Sequence, residues 1–277
     1  MVRKNGETLI FAALGIPVAI CLVAFIWIVG AIMTGINTIN PALITTSALQ
    51  GGYFEMIMGT IFLLLGAAGI AGPIGLFASI YLVEYARSGK ITTIIDQSIN
   101  NLAGVPSIVI GLFGYTFFCK QLGLGVSLAA GWLTLALMML PIVIRGSEEA
   151  LRMVPGAFKE AALALGATKW KAVSSTSVSG AAPGIVTSVV LGMARVAGET
   201  AAIIAVSCVL ITRGLPRSPL DPVMALSYNL FVRIVALGQP AGEVFGIALI
   251  LFAIVTSFAI FAIVLRAYYR RRQPWLR

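Results

Sequence analysis

Two ionisable residues lie inside an apolar stretch of the sequence, at a spacing that allows them to interact. Arg195 and Glu199 are four positions apart within the apolar run 184–211, so on an α-helix they would share a face and could form an ion pair. An ionisable side chain at the centre of a membrane-spanning helix costs about 2.5–3.5 kcal/mol to insert, and such residues mark substrate pathways. A structural ion pair that locks two helices together is the alternative interpretation.

Several kinds of chemistry are missing from the sequence. There is no histidine, which excludes imidazole catalysis and imidazole metal ligation. Cys21, Cys119 and Cys208 are far apart in or beside apolar runs, as expected of small buried side chains rather than of a metal site or disulfide framework. The phosphate-binding string G-x-x-x-x-G-K-[ST] does not occur in the sequence. We therefore expect no catalytic residue, metal or cofactor in this chain.

The composition predicts a membrane protein that is entirely α-helical. Of the 277 residues, 59% are hydrophobic and 10% are charged, whereas soluble domains carry about 25% charged residues. A helix needs about 20 apolar residues to cross a bilayer. We predict a single transmembrane domain over 1–277 with six spans, at 9–33, 56–83, 99–118, 126–144, 184–211 and 244–265.

The distribution of basic residues predicts that both termini are cytoplasmic, because lysine and arginine accumulate in inner loops. On that orientation, fourteen basic residues are inside: Arg3, Lys4, Arg87, Lys90, Arg145, Arg152, Lys159, Lys169, Lys171, Arg266, Arg270, Arg271, Arg272 and Arg277. Four are outside: Lys120, Arg213, Arg217 and Arg233. The positive charge is thus explained by topology, and no nucleic-acid partner is expected.

The predicted inner loop 145–182 contains a short amphipathic helix. Phe158, Ala161, Ala162 and Leu165 are spaced i, i+3, i+4, i+7, which places them on one face of a helix. Gly166 is expected to end that helix, since glycine adopts a left-handed conformation without penalty. The apolar face either packs under the membrane domain or at the interface, or it inserts into a groove on a soluble partner.

A break is predicted near the start of the third span. Gly104, Pro106 and Ser107 interrupt the apolar run, and irregular backbone at membrane depth is tolerated where it lines a cavity or protein. These residues are a candidate pathway hinge, with a packing kink as the alternative.

A string in the inner loop resembles a known family. Glu160, Ala161, Ala162 and Gly166 form E-A-A-x-x-x-G, which resembles the inner loop of the permeases of binding-protein-dependent ABC importers. In that family the loop forms a coupling helix that docks on the ATPase subunit. The resemblance implies the type I ABC importer permease architecture, and assigns ATPase coupling to Glu160, Ala161, Ala162, Leu165 and Gly166.

The resemblance extends over roughly residues 50 to 210. Its strings include Y-L-V-E-Y-A at 81–86, N-L-A-G-V-P-S at 101–107, L-A-L-G-A-T at 163–168 and A-G-E-T-A at 197–201. This set is similar to phosphate importer permeases of the PstA type. It implies a bacterial cytoplasmic membrane location, a related PstC-type permease, a PstB-type ATPase dimer that binds ATP and magnesium, and an external PstS-type phosphate-binding protein.

The resemblance also gives the ionisable pair a role. Arginine suits a phosphate anion better than lysine does, so Arg195 would meet the anion in the translocation pathway and Glu199 would hold Arg195 in place. An importer for another oxyanion, such as molybdate or sulfate, is an alternative. An ion-coupled secondary transporter would show inverted repeats, and a membrane scaffold would leave Arg195 and Glu199 unexplained.

Overall fold

The computed structural model describes residues 2–37, 41–87 and 89–272, and the side chains within these ranges except at residues 2–14, 37, 41, 241–243 and 270–272. The helices, in chain order, are α1 (Val2–Met33), α2 (Pro41–Thr45), α3 (Phe54–Ile80), α4 (Lys90–Gly104), α5 (Ser107–Gly114), α6 (Leu128–Arg152), α7 (Gly156–Ala164), α8 (Lys169–Ala172), α9 (Ser179–Ala197), α10 (Leu226–Phe231) and α11 (Ala241–Arg272). Wider π-helical turns follow or join some of these helices, at Tyr81–Tyr85, Tyr115–Gln121, Val173–Val178 and Val232–Ala236.

Helices α3, α6 and α9 form the centre of the bundle. Leu64, Met139 and Met193 are buried together in its core. Apolar burial adds little to helix association in lipid, where close packing and hydrogen bonds contribute most. Both are present: the Trp132 Nε1–H donates to the Phe62 carbonyl at 2.8 Å, and Gly66 leaves the room that the Trp132 ring occupies.

The described helices confirm an all-α membrane protein. Five helical stretches are long and apolar enough to cross a membrane, and a bent pair of helices would make a sixth span. The apolar side chains of α1, including Ile20 and Trp27, are exposed. Since α1 touches the rest of this chain mainly through α11, its surface must be covered by lipid or by another membrane subunit.

The third predicted span, 99–118, is not one straight helix. Helices α4 and α5 meet at an angle of 102°. Val105 is extended, with φ −70° and ψ 129°, because a residue before proline is excluded from the α conformation. Helix α4 reaches the end of α6 through Arg145 and Asp96, whereas Gly114 packs on Thr134 in the first half of α6. The two arms of the bent pair therefore contact α6 at different levels, one near Arg145 and the other near Thr134.

The fifth predicted span, 184–211, is displaced in the structure. The helical stretch is Lys169–Ala197, and residues 198–211 form turns and irregular backbone. The polar run before α9 is compatible with a helix because its hydroxyls are satisfied there by backbone carbonyls one turn earlier, as Ser175 Oγ is by Lys171 O at 2.6 Å. Because α6 also continues to Arg152, the predicted loop 145–182 shrinks to residues 153–168.

Of the basic residues that indicate orientation, Arg277 lies outside the described residues, and the side chains of Arg3, Lys4, Arg270, Arg271 and Arg272 lie outside the described side chains.

Arg145 attaches α4 to α6. Its guanidinium bonds to Asp96 Oδ1 at 2.9 Å, Asn100 Oδ1 at 3.0 Å and Glu148 Oε2 at 2.7 Å. Arg145 therefore anchors one arm of the broken span to the end of a core helix.

We expect Arg145→Ala to loosen α4 by about 1 kcal/mol, since Arg145 and Asp96 are partly exposed and screened by solvent. That is about a fivefold rise in hydrogen exchange of residues 90–104. Arg152→Ala is the matched control, because Arg152 bonds to Glu148 within the same helix. Equal exchange in Arg145→Ala and wild type would contradict this role.

Candidate functional site

Helix α7 is short and ends as the sequence predicts. Gly166 has a φ of +85°. The Gly166 N–H donates to Leu163 O at 2.9 Å, and the Ala167 N–H donates to Ala162 O at 3.1 Å. This pair of bonds is the Schellman motif, in which a left-handed residue satisfies the last helical carbonyls. Gly166 thus fixes the direction in which the chain leaves α7.

The apolar face of α7 does not pack under the membrane domain. Leu165 is 89% exposed, and Phe158, Leu163 and Trp170 are also exposed. Within the described residues, no residue of α7 is buried. The exposure excludes packing under the bundle and leaves a partner or the membrane surface to cover this face, because exposed apolar clusters mark protein or membrane interaction sites.

The opposite side of α7 is attached to the bundle through Glu84, in the π-helical turn after α3. Lys159 Nζ lies 2.7 Å from Glu84 Oε2, and Ser177 Oγ donates to Glu84 Oε1 at 2.9 Å. The Glu84 side chain is only 4% exposed. A second contact lies nearby, where Lys169 Nζ sits 4.3 Å from the centre of the Tyr85 ring.

Arg195 and Glu199 form the predicted pair at the end of α9. Arg195 Nη1 lies 3.2 Å from Glu199 Oε2. The Arg195 side chain is 56% exposed and that of Glu199 is 8% exposed. The buried carboxylate therefore orients a guanidinium whose other N–H groups make no hydrogen bond to the described residues, so that they can meet an anion. Ser227 Oγ donates to the Glu199 carbonyl at 2.9 Å, which fixes α10 beside the pair.

The backbone after Glu199 is irregular but enclosed by protein. Cys119 Sγ and the Ser127 N–H both bond to the Val206 carbonyl. Gly111 lets α5 approach closely, since a Cβ there would come within 2.8 Å of the Ala202 Cα. Enclosure by helices explains why non-helical backbone is tolerated here.

The candidate hinge lies at the sharp bend between α4 and α5. Gly104 ends α4, Pro106 precedes α5, and Ser107 is the first residue of α5. No described hydrogen bond or ion pair joins these residues to Arg195 or Glu199. Their role as a hinge remains a prediction.

Glu84, Lys159 and Ser177 were not predicted as a set. Glu84 stood only within a family string, and Lys159 was counted only among the inner basic residues. A carboxylate at the end of a long apolar run is a signal that could have identified Glu84, because such a group needs a partner when buried. Its partners are 75 and 93 residues away in sequence.

Comparison with known proteins identifies the family. Residues 71–274 match the binding-protein-dependent transport system inner membrane component family. The chain belongs to this family. It is therefore a multi-pass inner membrane transport subunit and not an enzyme.

Two relatives and one solved structure illustrate the similarity. The chain is 42% identical over 154 residues to phosphate transport system permease protein PstA 1 of Mycobacterium tuberculosis, covering 56% of this chain and 50% of that protein. It is 33% identical over 209 residues to the probable ABC transporter permease protein YqgI of Bacillus subtilis, covering 74% and 71%.

The match spans about half the length of the first of these relatives. A chain of the MetNI methionine ABC transporter, solved in an inward-facing conformation, superposes with a TM-score of 0.61 at 20% identity, covering 77% of this chain and 96% of that one. This likeness confirms the fold of an ABC importer permease.

Proposed function

We propose that this chain is a membrane-spanning permease subunit of an ATP-driven inorganic phosphate importer. It forms half of the translocation pathway and couples to a cytoplasmic ATPase. The observation that carries the transport role is the exposed guanidinium of Arg195, held by the buried carboxylate of Glu199 at 3.2 Å. Phosphate as the substrate is supported by the PstA name of the Mycobacterium tuberculosis relative.

The coupling role is supported by the geometry of α7. Glu160, Ala161 and Ala162 lie on this helix, which is followed by Leu165 and Gly166. The Leu165 side chain is almost fully exposed. A short helix of this kind fits an apolar groove on a soluble partner. We infer that the partner is an ATPase dimer of the PstB type, which binds ATP and magnesium, so that this chain needs no cofactor of its own.

The remaining partners follow from the same proposal. A related permease of the PstC type would complete the pathway and cover part of the exposed apolar surface. An external phosphate-binding protein of the PstS type would deliver the anion. With both termini in the cytoplasm, α7 faces the ATPase and the Arg195 end of α9 lies toward the outer side.

The test is uptake of radiolabelled phosphate at low concentration by cells that lack this chain. We expect the wild-type chain to restore uptake, and excess sulfate or molybdate to leave it unchanged. Full displacement of the label by either competitor would contradict the phosphate assignment while leaving the importer architecture in place. No restored uptake at normal membrane levels of the chain would contradict the proposed substrate as well.

A further inference from the structure

Three segments that are distant in sequence meet at the carboxylate of Glu84. One oxygen accepts from Lys159 in α7, and the other accepts from Ser177 in the π-helical turn before α9. Glu84 itself lies in the π-helical turn that ends α3. Among the described ion pairs, this is the one that joins α7 to a membrane helix.

We propose that Glu84 is a positioning residue of the transport cycle, through which movement of α7 reaches the inner ends of α3 and α9. The proposal rests on the proposed function, since it takes the movement of α7 to be imposed by a partner ATPase. Glu84 touches neither the substrate nor the ATPase; it acts by keeping Lys159 and Ser177 in a fixed relation.

The Glu84 contacts are less weakened by water than an ion pair at the protein surface would be. The Glu84 side chain is 4% exposed and Lys159 is partly buried, so water screens this pair less than it screens a surface pair. Both contacts are hydrogen bonds to an ionised group, which are about twice as strong as those between neutral groups. By contrast, the outer face of α7 has no buried residue that would hold it to the bundle.

Two of the segments that Glu84 joins have a backbone geometry that can change conformation locally. Tyr81–Tyr85 and Val173–Val178 are both π-helical turns, which carry an extra residue per turn and recur at functional sites in helices. A shift in these turns can carry α7 and the inner ends of α3 and α9 together without breaking the long helices.

The helical stretch Lys169–Ala197, which contains Ser177 near its start, has Arg195 near its other end. Arg195 is eighteen residues after Ser177, which is roughly 27 Å along a helix at 1.5 Å per residue. Helix α9 is continuous from Ser179 to Ala197, so a displacement at its inner end moves it as a rigid element. Glu84 thus connects α7, which would dock on the ATPase, to the helix that positions Arg195.

The test measures whether nucleotide moves the base of α9. The complex of this chain with its partner permease and ATPase is placed in nanodiscs, and hydrogen exchange of residues 173–183 is compared with and without ATP and vanadate. We expect a nucleotide-dependent change in the wild type. In Glu84→Gln that change should fall at least about fivefold, since the ion pair is lost, while ATP hydrolysis stays within about twofold.

Two further variants separate positioning from simple stability. Lys159→Gln, at a partly exposed side chain, should reproduce the loss, and the double variant should be no worse than the poorer single one, as expected of two residues acting through one contact. Arg152→Gln breaks an ion pair within α6 and should behave as wild type.

The proposal is overturned by an unchanged nucleotide response in Glu84→Gln or Lys159→Gln, by the absence of a response in the wild type, or by parallel loss of assembly and ATP hydrolysis in both variants. The measurement contains no phosphate. A wild-type chain that fails to import phosphate would therefore contradict the proposed substrate without deciding the role of Glu84.

Discussion

Replacing Arg195 with alanine is expected to reduce phosphate uptake at least about tenfold. The guanidinium supplies hydrogen bonds to the anion, and one hydrogen bond to a charged group is worth about 1.5–3 kcal/mol, which is about tenfold or more in binding. Arg195→Lys should retain part of the activity, because lysine keeps the charge but lacks the planar fork. The measurement is initial uptake of labelled phosphate, normalised to the amount of assembled complex.

Glu199→Gln should also lower uptake, because the neutral amide holds the guanidinium less firmly. Arg213→Ala is the matched control: Arg213 is exposed in the segment that follows the pathway pair, and its loss should leave uptake near the wild-type level. Wild-type uptake by an assembled Arg195→Ala complex would show that the pair is only a structural lock between helices.

Replacing Leu165 with glutamate is expected to abolish docking of the ATPase. Leu165 is 89% exposed at the end of α7, and burying a leucine side chain contributes about 1.5–3 kcal/mol. A carboxylate in the same groove would also have to lose its hydration. Together these effects weaken binding by at least about 100-fold, so the ATPase should no longer co-purify with the chain.

Gly166→Glu tests the shape of the same surface. A side chain at φ +85° costs about 1–2 kcal/mol in a left-handed conformation, while no neighbouring atom lies within 4 Å of a Cβ there. The variant should insert normally and dock poorly. Leu220→Glu is the control, because Leu220 is also an exposed leucine but lies between α9 and α10. Normal ATPase recovery with Leu165→Glu would place the docking surface elsewhere.

The sequence was sufficient for features that depend on local spacing. The four-residue separation of Arg195 and Glu199 predicted their ion pair, and Gly166 predicted the end of α7. Both depend on the geometry of one helical turn, which the order of residue types determines. The presence of several membrane-spanning helices was also predictable, because apolar length is a direct consequence of bilayer thickness.

Helix boundaries inside the apolar runs were harder to predict. The run 198–211 is as apolar as a span, yet it is folded irregularly. Helices α5 and α6 enclose it, and the segments that flank them satisfy its carbonyls, as Cys119 and Ser127 do at Val206. The polar run 173–178 suggested a loop, yet its hydroxyls bond within the helix. Hydropathy measures neither effect.

Contacts between segments that are distant in sequence could not be predicted. Glu84 meets Lys159 and Ser177 only because α3, α7 and α9 converge at one end of the bundle. No periodicity within any one of these segments indicates that convergence. The same holds for Arg145, whose partners Asp96 and Asn100 lie on the arm created by the bend at Pro106.

The most direct test of the account is phosphate transport by the purified importer in proteoliposomes. The wild-type chain is reconstituted with its partner permease and ATPase, the phosphate-binding protein is supplied outside, and ATP is enclosed inside. We predict phosphate accumulation that requires ATP hydrolysis and persists when ion gradients are collapsed. Accumulation that follows an ion gradient without ATP, or ATP hydrolysis with no phosphate accumulation, would contradict the assignment of this chain as a phosphate importer permease.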